Sequence, residues 1–85
     1  MPIKVRYFAW LRERIGHAEE LVDVPADVTT VCDLATLLSK RSPEHAAVFM
    51  PDSVIRVAVD QVHCKPDAPI AGAREVAFFP PVTGG

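Results

Sequence analysis

The stretch Glu75-Val76-Ala77-Phe78-Phe79-Pro80-Pro81-Val82-Thr83-Gly84-Gly85 decides how the rest of the chain is arranged. Its first five residues are an apolar run that reads as a strand. The prolines that follow end it, because they fix φ, carry no amide proton for a ladder and favour an extended, polyproline-like course. A second apolar strand stands at the other end of the chain. From Ile3 to Trp10 the residues alternate, with Ile3, Val5, Tyr7 and Ala9 on one side and Lys4, Arg6, Phe8 and Trp10 on the other. In so small a chain both strands are protected if they lie side by side at the centre of one sheet.

Between these strands the pattern changes period. Leu11 to Ile15 has room for one helical turn, closed by Gly16, a residue suited to a left-handed C-terminal cap. Glu20 to Val24 reads as a second strand, broken by Pro25 and Asp27. Thr30 then offers a hydroxyl N-cap with acidic Asp33 three positions on. Val31, Leu34, Ala35 and Leu38 recur at helical spacing, leaving Asp33, Thr36, Ser39 and Lys40 for solvent. Ser42-Pro43 closes that helix, and Glu44 to Met50 is a further short turn before Pro51-Asp52. Val54 to Val59 reads as the best central strand, Val62 to Cys64 as a short one, and Lys65 to Arg74 as a loop.

The order is not the strict βαβα alternation of a doubly wound sheet. It predicts an α+β chain with the ubiquitin-like β-grasp, a mixed sheet of about five strands with one main helix packed on one face. The helix stripe would cover Val5, Tyr7, Val57, Val76 and Phe78, while the opposite face would carry Phe8 and Phe79. Residues 1–79 would form the β-grasp domain and 80–85 an extended tail ending in Gly-Gly.

Length and composition bound the function. Eighty-five residues allow one domain with an economical core and no large internal active site. Nine basic and eleven acidic residues are scattered along the chain, which argues against a nucleic-acid partner. No apolar run is long enough to span a bilayer and Met1 to Lys4 does not resemble a signal peptide, so no membrane role and a cytoplasmic location are expected. Two cysteines, Cys32 and Cys64, are expected to be reduced thiols.

The tail carries the chemistry. Gly84 and Gly85 have no side chains, so the backbone can enter a narrow channel, and the carboxylate of Gly85 is the candidate reactive group. At about 3.3 Å per residue, the segment after Pro81 reaches roughly 10 to 15 Å beyond the body. Pro80, Pro81, Val82, Thr83 and Gly84 would thread such a channel. A frayed terminus is the plain alternative. Phe8, Trp10 and Phe79 lie opposite the helix-facing residues and form a candidate partner-facing patch rather than core. His63 and Cys64 are adjacent on a strand and point to opposite faces, so they cannot readily share a metal ion, and no metal site is expected. His17 and His45 read as solvated. Cys32, near a helix N-terminus, reads as a partly buried helix residue, with persulfide chemistry as the alternative.

The ending Phe-Phe-Pro-Pro-Val-Thr-Gly-Gly, with Ile3-Lys4-Val5-Arg6-Tyr7-Phe8-Ala9 and Leu11-Arg12-Glu13 at the other end, resembles the MoaD/ThiS sulfur-carrier family over the whole chain. Within that family it is most similar to the branch that serves as the small subunit of molybdopterin synthase. Asp60 departs from the asparagine common after the Val54 to Val59 strand, and the Ser42 to Asp52 linker is individual. The resemblance implies a carrier that is not an enzyme on its own. An ATP-dependent, E1-like activating enzyme using Mg²⁺ would adenylate Gly85, and a sulfur donor, a sulfurtransferase or cysteine desulfurase, would convert it to a thiocarboxylate. The tail would then deliver sulfur to a pyranopterin precursor in the large subunit, within a heterotetramer of two small and two large chains. The family also implies Arg12 as a position at partner interfaces. A thiamine-type carrier, a ubiquitin-like modifier joined to lysines through Gly85, and a non-reactive binding module are the alternative functions.

Overall fold

A computed structural model of the chain describes residues 2–50 and 54–81. Its elements are β1 (Pro2–Tyr7), α1 (Trp10–Ile15), β2 (Glu19–Asp23), α2 (Val31–Ser39), α3 (Pro43–Val48), β3 (Arg56–Val59), β4 (Val62–Cys64) and β5 (Glu75–Phe79). The five strands form one sheet in the order β2-β1-β5-β3-β4. β1 and β5 lie side by side and parallel, with Val5 opposite Val76 and Tyr7 opposite Phe78, while β2, β3 and β4 join antiparallel. This is the mixed β-grasp sheet expected from the two terminal strands. β5 takes the middle, so β3, read as the best central strand, is interior but displaced toward the β4 edge.

Alternation decides which face is covered. Ile3, Val5, Tyr7, Val22, Val57, Val76 and Phe78 bury one face against Leu11 and Ile15 of α1, Val31, Leu34 and Leu38 of α2, and Val48 of α3. The predicted stripe of α2 is therefore its core stripe, with Ala35 half-buried. The start of α2 is fixed by a reciprocal cap. Thr30 Oγ1 accepts the Asp33 amide at 3.2 Å, and the Asp33 carboxylate accepts the Thr30 and Thr29 amides at 3.3 and 3.1 Å. The amide donors hold the Asp33 carboxyl below its usual range, Thr29's first. Ser42 and Pro43 follow α2 and also open α3, with Ser42 as N-cap and Pro43 in the first turn.

β1 is shorter than its alternation suggests. Ala9 takes φ 56° and ψ −132° as the N-cap of α1, so the chain turns there and Trp10 begins a helix instead of ending a strand. α1 closes at Gly16, whose φ of 92° is the left-handed cap, with its amide donating to Arg12 O at 2.8 Å. The β3–β4 hairpin turns through Asp60 and Gln61, both at positive φ (48° and 70°), the backbone of a two-residue type I′ loop. The Asp60 carboxylate accepts the Arg74 and Glu75 amides at 2.9 and 3.0 Å, tying the hairpin to the start of β5. No described helix is long and apolar enough to cross a membrane.

Candidate docking face and tail root

The face of the sheet opposite the helices is built in rows. Across one row stand Glu19, Arg6, Ala77, Ala58 and His63, each opposite the next by strand register. Ala77 and Ala58 are the floor of this row, buried beneath their larger neighbours although they take no part in the helix-side core. In the adjoining row Phe79 pairs with Arg56. Phe8, just past β1, donates its amide to Phe78 O at 3.1 Å, and its ring lies 5.0 Å beneath the Arg6 guanidinium carbon. The result is a shallow apolar floor with aromatic walls.

Phe8 is 39% exposed and Phe79 half-buried, both on this face. Trp10, equally exposed, stands at the start of α1 and is not a strand residue. Arg12 is exposed on α1, and among the described residues no ion pair holds it. β5 ends at Phe79, and Pro80 and Pro81 continue half-buried outside any strand. Pro81, Phe79, Arg56, His63 and Cys64 share a cleft of about 300 Å³ with Val57. Pro80 and Pro81 therefore follow β5 beside the aromatic residues of this face. Val82, Thr83, Gly84 and Gly85 lie outside the described residues, as does the Pro51-Asp52 break.

The histidines and cysteines sort by face. The His63 ring sits 5.2 Å from that of Phe79 on the outer side, while Cys64 Sγ points back toward Val57 O at 3.9 Å. Cys32 is exposed, not partly buried, because it follows the apolar Val31 on α2 and so falls outside the buried stripe. His17 is exposed.

His45 is not solvated. It is 6% exposed, and its Nε2 lies 2.7 Å from Glu20 Oε2 and its Nδ1 2.7 Å from Ser42 Oγ. A carboxylate only accepts, so Nε2 carries the proton toward Glu20. The Tyr7 hydroxyl, from a residue 1% exposed, donates to the same Oε2 at 2.7 Å, and Arg41 reaches Oε1 at 3.2 Å. Burial pushes the Glu20 carboxyl upward, but the bonds from His45 and Tyr7 and the charges of His45 and Arg41 outweigh it and leave it below its usual range. Burial first, then the bond to Glu20 and its charge, drives the Tyr7 hydroxyl strongly upward. The signal for this cluster is in the sequence: β2 alternation puts Glu20 on the side of Val22, and a carboxylate on a core face requires donors.

The fold defines a class: a ubiquitin-like β-grasp protein whose central last strand runs into Pro80 and Pro81 beside Phe79 and Phe8. The particular family follows from comparison. The chain belongs to the ThiS family, whose model matches residues 5–85. It is 40% identical over 83 residues to the molybdopterin synthase sulfur carrier subunit of Escherichia coli, spanning 98% of this chain and 99% of that one. A putative molybdopterin converting factor subunit 1 from Pyrococcus furiosus has the same fold at TM-score 0.77 and 28% identity, covering 96% of this chain and 99% of the other. The small archaeal modifier protein 1 of Haloferax volcanii is similar at TM-score 0.74 and 29% identity, covering 95% and 98%.

Proposed function

We propose that this chain is a sulfur carrier of molybdopterin synthase, loaded at the carboxylate of Gly85. The observation that carries the reading is the end of β5: the strand is held at the centre of the sheet through Phe78, and Pro80 and Pro81 follow it outside any strand, beside Phe79 and the exposed Phe8. A tail whose root is fixed in this way can be presented to another protein's site. The near full-length likeness to the E. coli subunit supports the pathway.

The chemistry asks little of the chain itself. A carboxylate is a poor acyl donor, so the activating enzyme, with its ATP and Mg²⁺, joins a Gly85 oxygen to AMP and releases pyrophosphate. The donor's persulfide sulfur then displaces AMP at the acyl carbon, and a thiol reductant cleaves the S–S bond that still joins it to the donor and leaves a thiocarboxylate. In the large subunit that sulfur is transferred to the pterin precursor, and water cleaves its bond to Gly85 and restores the carboxylate. Pro80 and Pro81 stiffen the approach, Val82, Thr83 and Gly84 thread the channel, and Phe8, Phe79 and Arg12 meet the large subunit. The catalytic groups belong to the partners.

Deleting Gly85, or adding one residue after it, is expected to abolish sulfur loading without changing the thermal midpoint. Sulfur loading of an extended chain, once mass spectrometry has excluded trimming back to Gly85, would overturn the reading. The archaeal relative favours a second reading, a protein modifier, in which Gly85 ends as an isopeptide to lysine. Lysine-linked conjugates in place of a thiocarboxylate would establish it.

A further inference from the structure

The docking face is not electrically uniform. Toward β2 its cations are matched within the chain, Lys4 Nζ to Glu19 Oε2 at 3.4 Å and the Arg6 guanidinium to Glu75 Oε1 at 3.8 Å. Toward β4 they are not. Arg56 opens β3 directly opposite Phe79, exposed, and among the described residues no carboxylate pairs with it. His63, exposed on β4, leans on the same Phe79 ring. Asp60, the acidic residue of the intervening turn, is committed to the Arg74 and Glu75 amides. Two nitrogen-bearing side chains thus converge on one cleft, walled by Phe79 and Pro81, where the tail departs.

We propose that Arg56, assisted by His63, receives a carboxylate side chain of the large subunit at the root of the tail. This rests on the reading that the outer sheet face docks that subunit. The guanidinium presents a planar fork that matches a carboxylate bidentately, which a point charge does not. Phe79 and Pro81 would exclude water around the pair as the surfaces meet, and attraction strengthens as the local dielectric falls. The alanine floor provides area but little register, since two methyl groups fit many apolar partners. A directional pair beside Pro81 sets where the tail starts, and so where its end arrives. The pair acts on docking and register, not on the sulfur chemistry.

The test is a calorimetric titration of the full chain into the large subunit at low and moderate salt, with wild type, Arg56→Gln, Arg56→Glu, His63→Ala and Phe79→Ala. Arg56→Gln should weaken binding about tenfold and flatten its salt dependence, and Arg56→Glu should weaken it further. His63→Ala should have a smaller effect of the same sign. Thermal midpoints should be unchanged for both Arg56 variants, because that side chain is exposed. If Phe79→Ala weakens binding while both Arg56 variants bind as wild type at low salt, the docking face stands and the carboxylate site is overturned. If wild type does not bind, or Phe79→Ala also binds unchanged, the docking face fails and the proposal fails with it. A third result also overturns it: inorganic phosphate shifting the His63 ring resonances of the free chain while Arg56→Gln keeps full affinity for the subunit, which would make the cleft a site for a free oxyanion.

Discussion

Replacing Glu20 separates a shared acceptor from a mere charge. Tyr7 Oη and His45 Nε2 both reach Oε2 at 2.7 Å, whereas Arg41 alone reaches Oε1. Glutamine can place its one amide oxygen where Oε2 stands and turn its NH₂ toward the exposed Arg41, so both buried donors stay satisfied. The loss is then the charge-assisted part of those bonds, about 1 kcal/mol. Leucine leaves the Tyr7 hydroxyl and His45 Nε2 buried with no acceptor, at 1–3 kcal/mol each, so Glu20→Leu should cost about 3 kcal/mol. Urea unfolding at neutral pH measures both. The acid limb adds an independent check, because a carboxyl whose folded pKa lies below its unfolded value stabilises above the unfolded value and loses that contribution as pH falls. Wild type should lose stability below about pH 4.5 more steeply than Glu20→Gln, which has nothing to titrate there. Equal costs for the two variants, or identical acid limbs for wild type and Glu20→Gln, would refute the shared-oxygen geometry.

Core and docking face should separate cleanly: Leu34→Ala, at a fully buried helix position, should cost about 3 kcal/mol in urea unfolding. Phe8→Ala and Phe79→Ala should instead weaken large-subunit binding by about 2 kcal/mol in a titration, with smaller losses of stability. Gln61→Gly should stabilise by about 0.5 kcal/mol, since Gln61 holds φ 70° in the hairpin turn and glycine relieves that strain at some entropic cost. Gly84→Val should leave the fold unchanged but slow sulfur delivery in single-turnover transfer from a chain thiocarboxylated by chemical ligation; delivery at the wild-type rate would show that the large subunit does not enclose the tail.

Most of the sheet was legible because its signals are local. Glu75 to Phe79 is bounded by Pro80, and Val31, Leu34 and Leu38 follow a capped start at Thr30. The end of β1 was not legible, since Phe8 and Trp10 continue the two-residue alternation that Ala9 interrupts through its backbone alone. β5 rather than β3 holds the centre because β5 joins the β2–β1 pair to the β3–β4 hairpin, a property of its partners and not of its own residues. The burial of His45 is hidden from the sequence for a related reason. A histidine on a short helix looks solvated until the Val5–Glu20 pairing brings a carboxylate from 25 residues away. On the outer sheet face, the aromatic residues were visible from alternation, while the contrast between Lys4 and Arg6, which reach Glu19 and Glu75, and Arg56, which meets no carboxylate among the described residues, emerged only from the structure.

Whether Gly85 anchors the carried sulfur is tested most directly by intact mass. The chain is incubated with ATP and Mg²⁺, the activating enzyme and a sulfur source, then weighed alone and after addition of the large subunit and pterin precursor. A carrier loaded at Gly85 gains the mass of one sulfur replacing one oxygen, localised by fragmentation to Gly85 and lost on delivery to the precursor. An unmodified chain under conditions that load a known carrier, or sulfur found on Cys32 or Cys64 instead, would contradict it.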